Sequence, residues 1–547
     1  MRRIAAVLAA GVLLMTSGCG SGPSDLAATA KDTPAPLTAP LTVTTTSGTL
    51  RGTASGSVRK FLGVRYAQPP TGDGRWSPPR PLPAPAHSTR GATPVDATKP
   101  GARCPQTAGA PTHLPGSTDE DCLFVNVTTP RDLRPGERLP VLVWWHGGGL
   151  TSGSGNDYGP ERIVTRGRVV VVTVNYRLGA FGYLGLPGLK GSGSFGFADQ
   201  IAAARWAKEN ARAFGGDPGN LTVFGESAGG MSACALLTSP EARGLMDKVV
   251  IMSGSCLVTW PAGTLYPKSP AQDPYIPLAQ VRTLGAKAAQ RLGCRGADTL
   301  SCMRRKPVAE LLKLDVDVAN RIAYGASPLP ADPAQSLRTG GFARIPVLAG
   351  GTRDEARSFV AALLHEDPRA VTAANYPGLI RTSFGSHAPA VAARYPLKDY
   401  PSPGVAWATV VTDATWACPT LTAQRALAAH TRVYGYEFAD PHAPNVLGVT
   451  VPSVPLGAGH AGDLPYLFDL GGRNLLTTPE QRTLATRMID YLTTFARNGR
   501  PTAPNGPDAP RATPSSSTAL RLAPGRLGPV NLSEEHHCPF WERVGRR

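Results

Sequence analysis

The sequence predicts an α/β fold in which one large, mostly parallel sheet is covered by helices on both faces. Three observations carry this. Apolar runs rich in β-branched residues recur at 139–145, 169–174, 221–224, 249–252 and 345–349. Between several of them lie helical patterns, as at 199–214, where Ala202, Trp206 and Ala213 fall on one face. Strands that alternate with helices become buried on both sides and lose the in-out alternation of a half-exposed strand. The chain is also long and apolar enough for such a core, with 547 residues, 41% of them hydrophobic and 17% charged, which excludes disorder as its main state.

At the N-terminus, Arg2 and Arg3 precede an apolar stretch over 4–15, and Thr16, Ser17 and Gly18 lead to Cys19. A charged start, an apolar run of about a dozen residues and small residues behind it read as a secretory signal over 1–18, too short to span a bilayer. Small residues directly before a cysteine also fit a bacterial lipoprotein signal, in which Cys19 would be diacylated. Thr16 stands where that pattern has leucine, and ordinary cleavage near the same place is the alternative. Residues 19–40, made largely of Ser, Gly, Thr, Ala and Pro, read as a flexible tether. Residues 41–541 read as one folded domain and 542–547 as a tail, with 501–517 a Pro-, Ala- and Ser-rich surface loop before a short closing segment. No later stretch approaches the length of a membrane span, so membrane contact is expected only through a lipid on Cys19.

The basic residues, 56 Lys and Arg against 39 Asp and Glu, give a net charge of +17. They form no run of five or more and no stripe interleaved with aromatics, so no nucleic-acid partner is expected.

Leu221-Thr222-Val223-Phe224-Gly225-Glu226-Ser227-Ala228-Gly229-Gly230 places G-x-S-x-G after an apolar strand and before a helix-forming stretch at 231–238. A serine hydroxyl is a weak nucleophile unless a base can reach it, and a tight strand-to-helix turn projects it while small neighbours relieve crowding. Ser227 is therefore the candidate nucleophile. His146-Gly147-Gly148-Gly149 follows the strand ending at Trp145. Its glycines allow backbone N–H groups to turn toward a developing oxyanion, so Gly148 and Gly149, with Ala228 after the nucleophile, are the candidate donors. No phosphate-binding fingerprint accompanies this glycine run.

Further segments join these two: Phe61-Leu62-Gly63-Val64-Arg65-Tyr66-Ala67 with Pro69-Pro70, Glu120-Asp121-Cys122-Leu123-Phe124-Val125-Asn126-Val127, Asn175-Tyr176-Arg177-Leu178-Gly179-Ala180-Phe181-Gly182, and Phe214-Gly215-Gly216-Asp217-Pro218. In this order the set resembles the type-B carboxylesterase family, which includes the cholinesterases, bile-salt lipases and bacterial para-nitrobenzyl esterases. The resemblance spans roughly residues 41 to 541. It implies an α/β-hydrolase fold in a single large catalytic domain, a serine carboxylic-ester hydrolase, and a catalytic acid and histidine that follow the serine.

The segment Val347-Leu348-Ala349-Gly350-Gly351-Thr352-Arg353-Asp354-Glu355 looks like the family's acid-bearing strand end, which makes Glu355 the acid. Asp354 is the runner-up and is expected to be exposed. Leu456-Gly457-Ala458-Gly459-His460-Ala461-Gly462-Asp463-Leu464-Pro465-Tyr466 resembles the base-bearing segment, so His460 is the expected general base and Asp463 a structural carboxylate. Glu226 sits on the nucleophile's own turn and is expected to be a buried structural carboxylate that does not reach behind the imidazole. His536 and His537 behind Glu534 and Glu535 resemble a metal cluster but lack further ligands, and read as a polar C-terminal tail. No metal or organic cofactor is implied.

The nine cysteines fit the family pattern once Cys19 is set aside for lipid. Cys104 and Cys122 bracket what looks like a first disulfide loop, Cys294 and Cys302 a second, and Cys418 and Cys538 match a long-range bridge. Cys234 and Cys256 are left, either a fourth pair or two buried free thiols. Between Cys104 and Cys122 there is no Trp, Tyr or Phe, so the aromatic platform that binds a quaternary ammonium in cholinesterases is missing. The expected function is a secreted esterase acting as a monomer on neutral small or medium esters. A lipase or an amide- or thioester-cleaving enzyme is the alternative, and retention of the nucleophile argues against a non-catalytic binding or adhesion protein.

Overall fold

The structure, a computed structural model, describes residues 37–83, 93–108, 115–134, 136–314 and 320–545. The signal over 1–18, Cys19 and the tether up to residue 36 lie outside them. Leu37–Thr38, at the end of the stretch read as a tether, pairs with Asp132–Leu133.

Eleven strands form the central sheet. In chain order they are β1 (Thr53–Ser55), β2 (Val58–Arg65), β3 (Phe124–Pro130), β4 (Leu139–Trp145), β5 (Val170–Val174), β6 (Gly216–Glu226), β7 (Lys248–Met252), β8 (Val347–Thr352), β9 (Val433–Phe438), β10 (Thr518–Leu522) and β11 (Gly528–Asn531). Their spatial order is β11-β10-β9-β8-β7-β6-β4-β5-β3-β2-β1. From β5 through β10 every neighbouring pair is parallel, and the antiparallel strands lie at the two edges.

Successive side chains of a strand point to opposite faces, and here both faces are dry. Val141, Val143 and Trp145 of β4 enter one core with Val170, Val172 and Val174 of β5. Leu142 and Trp144 enter the other with Val171. This is why the sequence reads as unbroken apolar runs. The first core is covered by Ile201, Ala204 and Ala207 of α1 (Phe195–Asn210) and by Ala233, Leu236 and Leu237 of α2 (Ala228–Thr238). The helix expected at 199–214 thus starts earlier, at Phe195, and tightens to a 3-10 turn over Ala211–Phe214 that ends at Gly215 with φ 83°.

A third core joins α3 (Ala356–Glu366), α4 (Pro403–Val411), α5 (Cys418–Ala428), α6 (Pro479–Asn498) being excluded from it, and the C-terminal α7 (Cys538–Val544). Instead α6 covers the second face of the sheet through Leu484, Met488, Ile489, Leu492 and Phe495. Its ends follow helix-capping chemistry: Thr478 and Gln481 form a capping box, Pro479 opens the first turn, and Gly499 closes the last at φ 74°. The loop over 501–517 contains no helix or strand, yet Ala509 and Ala512 are buried in the two main cores.

Between α4 and α5 the chain does not continue as α-helix but widens into a π-helical turn over Thr412–Ala417. The C-terminal end corrects one expectation. His536 is no tail residue: it is 4% exposed, with Asp413 on one ring nitrogen and Glu437 on the other. Helix α7 also takes in residues 542–544 of the segment read as a tail. Among the described residues no group of three or more His, Cys, Asp or Glu is arranged to hold a metal ion.

Disulfides join Cys104 to Cys122, Cys234 to Cys256, Cys294 to Cys302 and Cys418 to Cys538. Cys234 and Cys256 are therefore a fourth pair and not free thiols. The Cys418–Cys538 bridge spans 120 residues of chain, so its loss frees a long loop in the unfolded state. Cys418→Ser/Cys538→Ser is expected to lose roughly 4 to 5 kcal/mol of stability by the chain-entropy argument. Calorimetry under non-reducing conditions checks this, and an unchanged melting temperature would mean that packing alone holds the closing segment.

Candidate active site

The carboxyl ends of β4, β6 and β8 bring the site together. Ser227 stands between the end of β6 and the start of α2, at φ 56° and ψ −123°, a conformation that side chains rarely adopt. Tertiary contacts hold it there: its N–H donates to Met252 O on the neighbouring β7 (3.0 Å), and its carbonyl accepts from Met231 N–H (2.8 Å). The turn can approach β4 only because Gly229 lacks a side chain. A Cβ there would collide with Trp145 O and lie 2.8 Å from His146 O.

His460 lies on the long loop after β9, and Glu355 follows β8. The imidazole Nε2 is 2.9 Å from Ser227 Oγ, and Nδ1 is 2.5 Å from Glu355 Oε2. Since a carboxylate only accepts, Nδ1 carries the hydrogen in the neutral ring and Nε2 presents a lone pair to the serine hydroxyl. The other Glu355 oxygen accepts from Thr352 N–H (2.9 Å), which fixes the carboxylate plane. Glu355, Ser227 and His460, the three residues expected from the sequence, are thus one hydrogen-bonded chain.

Asp354, expected to be exposed, is 8% exposed. It exchanges backbone bonds with the loop that carries the histidine: its N–H donates to Ala458 O (2.9 Å) and its Oδ2 accepts from Ala458 N–H (3.0 Å). Arg353 and Arg357 balance its charge. It fixes the loop rather than the ring.

Glu226 is buried as expected, but its carboxylate has a second part to play that the sequence did not reveal. Its Oε1 lies 3.3 Å from His460 Nε2, on the serine side of the ring. Asp463 is fully buried. Burial raises the carboxyl groups of both Glu226 and Asp463 above the usual carboxylate range. For His460 burial works downward, but Glu226 and then Glu355 outweigh it, and the imidazole titrates above the ordinary histidine value.

The glycine loop after β4 lies directly against Ser227. A Cβ on Gly147 would sit 2.7 Å from Glu226 Oε2 and 2.9 Å from Ser227 Cβ. Gly148 and Gly149 take φ 99° and 62°, and Gly148 O accepts from Thr151 N–H (3.0 Å) and Ser152 N–H (3.1 Å) in a tight turn. His146 is stacked on Tyr176 at 4.4 Å, and Tyr176 donates its hydroxyl to His146 O (2.6 Å). Burial pushes the His146 imidazole down to about 4, so it is neutral near pH 7.

Aromatic rings flank the other side of His460. Phe359 and Trp416 each lie 4.9 Å from the imidazole, stack on each other at 5.8 Å, and Trp260 meets Trp416 edge-on at 5.8 Å. None was singled out from the sequence. Phe359 had a usable signal, since it falls one helical turn after Glu355 and so shares its face. Trp416 had none, because its direction depends on the π turn.

Residues 39–541 match the carboxylesterase family. The chain belongs to that family. It is similar to the para-nitrobenzyl esterase of Bacillus subtilis strain 168, at 38% identity over 311 residues, a match covering 55% of this chain and 60% of that protein, less than two thirds of its length. Longer matches are to carboxylesterase 1E of Mus musculus, 30% identical over 83% of this chain and 84% of the relative, and to the cocaine esterase of Homo sapiens, 28% identical over 89% and 87%. The protein is a carboxylic ester hydrolase of the α/β-hydrolase fold. Its four disulfides fit an oxidising compartment, and no helix among the described residues is long and apolar enough to cross a membrane.

The electrostatic arrangement around the ring is directly testable. Glu226→Gln removes the charge facing Nε2 and is expected to lower the pH at which His460 titrates, read by NMR of the imidazole protons. Identical titration in both proteins would show that Glu226 stays neutral across the range.

Proposed function

We propose that the protein hydrolyses neutral carboxylic esters of small or medium size through an acyl-enzyme on Ser227, with His460 as general base and Glu355 as the acid that orients it. The observation that carries this reading is the continuous chain from Ser227 Oγ to His460 Nε2 (2.9 Å) and from His460 Nδ1 to Glu355 (2.5 Å).

Ser227 Oγ attacks the ester carbonyl while its proton passes to His460 Nε2. The oxyanion forms against the N–H groups of Gly148, Gly149 and Ala228, in a water-poor site where such donors act strongly. The C–O bond to the alcohol then breaks, and the imidazolium returns its proton to the leaving oxygen. Water repeats the cycle on the acyl-serine, releasing the carboxylic acid. Glu355 holds the tautomer and stabilises the imidazolium between steps.

The aromatic wall of Phe359, Trp416 and Trp260 supplies apolar area beside the reacting carbonyl, which supports neutral rather than charged esters. The secretory pattern over 1–18 and the four disulfides support export, with Cys19 as the acylation site.

Ser227→Ala is expected to lower hydrolysis of para-nitrophenyl butyrate by on the order of 10⁴-fold or more, with little change in melting temperature. Full residual activity would refute the assignment, and a fluorophosphonate label on any residue other than Ser227 would do the same. The base acts only when neutral, so activity is lost as pH falls through its raised value. The acid limb of kcat/KM is therefore expected above the ordinary histidine value of 6.5, and a limb at or below that value would contradict the electrostatics of the site.

A further inference from the structure

His536 is a second buried histidine flanked by carboxylates, remote from the serine. Its Nδ1 lies 2.7 Å from Asp413 Oδ1 and its Nε2 2.8 Å from Glu437 Oε1. Trp541 Nε1–H donates to the Tyr395 hydroxyl (2.7 Å), and that hydroxyl donates to Asp413 Oδ2 (2.9 Å). Asp413 Oδ2 therefore accepts, which leaves Oδ1 to meet His536 Nδ1, while burial raises the Asp413 carboxyl above its usual range. Arg521 faces Glu437 at 3.4 Å and also bonds Glu535 at 2.8 Å. His537, bonded to Arg394, lies beside Tyr395. With a carboxyl group on each nitrogen, the doubly protonated form of His536 is favoured, since both partners can then accept.

Three elements meet on this ring. Glu437 belongs to β9 and is in register with Gly351 of β8, the strand that leads to Glu355. His536 belongs to the closing segment held by Cys418–Cys538. Asp413 belongs to the π turn Thr412–Ala417, and that turn touches the ester site twice. Thr412 Oγ1 accepts from Ala356 N–H (3.0 Å) at the start of the helix behind Glu355, and Trp416 lies against His460. A π turn carries one residue more than the α-helix around it and persists only where tertiary contacts hold it. Relaxed to α geometry, the turn would lose its extra residue and its register would shift by about 100°, taking Trp416 within it off the imidazole.

We propose that His536 is a positioning residue for the ester site: bonded to Asp413 and Glu437, it holds the Thr412–Ala417 π turn in the form that sets Trp416 against His460 and Thr412 on the Glu355 helix. The proposal rests on the Ser227–His460–Glu355 reading of that site. Burial opposes the charge, but Asp413 and Glu437 outweigh it and push His536 up to about 10. Its contribution to the fold is full below the ordinary histidine value and is lost as pH rises through about 10.

The test is His536→Gln in the full chain, which removes the cation and leaves one carboxylate unmet. Expected is a loss of roughly ten- to a hundredfold in kcat/KM for para-nitrophenyl butyrate, together with the same change in acyl-chain preference that Trp416→Ala produces. In His536→Gln/Trp416→Ala the two losses are expected not to multiply. Unchanged chain preference with multiplying losses would overturn the proposal and leave His536 a purely structural residue. Should His536→Gln fail to fold, nitrogen-15 NMR of the unmodified protein decides: a doubly protonated ring at pH 8, distinguished from His460 by the spectrum of His460→Gln, is required, and a neutral ring overturns it. Fluorophosphonate labelling of the unmodified protein tests the Ser227 reading separately.

Discussion

The site depends on a buried imidazole held among buried carboxylates. Charged groups are costly to take out of water, and a carboxylate that finds no partner protonates instead. Around His460 the cost is offset unequally. Glu355 receives a ring N–H and a backbone N–H, whereas Glu226 Oε1 faces His460 Nε2, the nitrogen that also meets the Ser227 hydroxyl. A protonated His460 ring would therefore meet a carboxyl group on each side, with the better-bonded Glu355 on Nδ1. The resting ring keeps one fixed tautomer, because only one of its nitrogens has a committed acceptor.

Precision of this kind requires a rigid frame. Ser227, the glycine loop and Glu355 leave the ends of three parallel strands, β6, β4 and β8, whose flanks are packed on both faces. Strands of a parallel sheet all end on the same edge, so loops far apart in sequence arrive at one place. His460 is the exception, delivered by a long loop after β9. That loop is tied to the acid strand by backbone bonds on both residues of the acidic pair: Asp354 with Ala458, and Glu355 O with His460 N–H at 3.2 Å. The two adjacent acids divide the work, one holding the loop and the other the ring.

This division explains which features were legible in the sequence. The strands could be read because double burial leaves continuous apolar runs. The elbow and the oxyanion loop could be read because close backbone approach admits only glycine, as at Gly229. The acid and base came from the resemblance of their segments, not from any local pattern. Other features depend on contacts between distant parts of the chain and leave no local trace. Asp354 looked exposed because its partner is a backbone amide more than a hundred residues away. Trp416 carries no periodicity because a π turn shifts its direction, and His536 looked like a tail residue because both of its partners are distant carboxylates.

Three buried histidines show how little the residue type decides. His146 has a backbone carbonyl and an aromatic face for neighbours, burial dominates, and the ring stays neutral. His536 has a carboxyl group within hydrogen-bond distance of each nitrogen, so neither nitrogen faces a hydroxyl. His460 lies between these cases. One nitrogen is committed to a carboxylate, and the other faces a hydroxyl with a second carboxylate just beyond. Of the three rings only this one has a hydroxyl on one nitrogen and a carboxylate on the other. What sets His460 apart is the asymmetry of its two partners, and the long loop after β9, the acidic pair after β8 and the elbow after β6 all hold it in place.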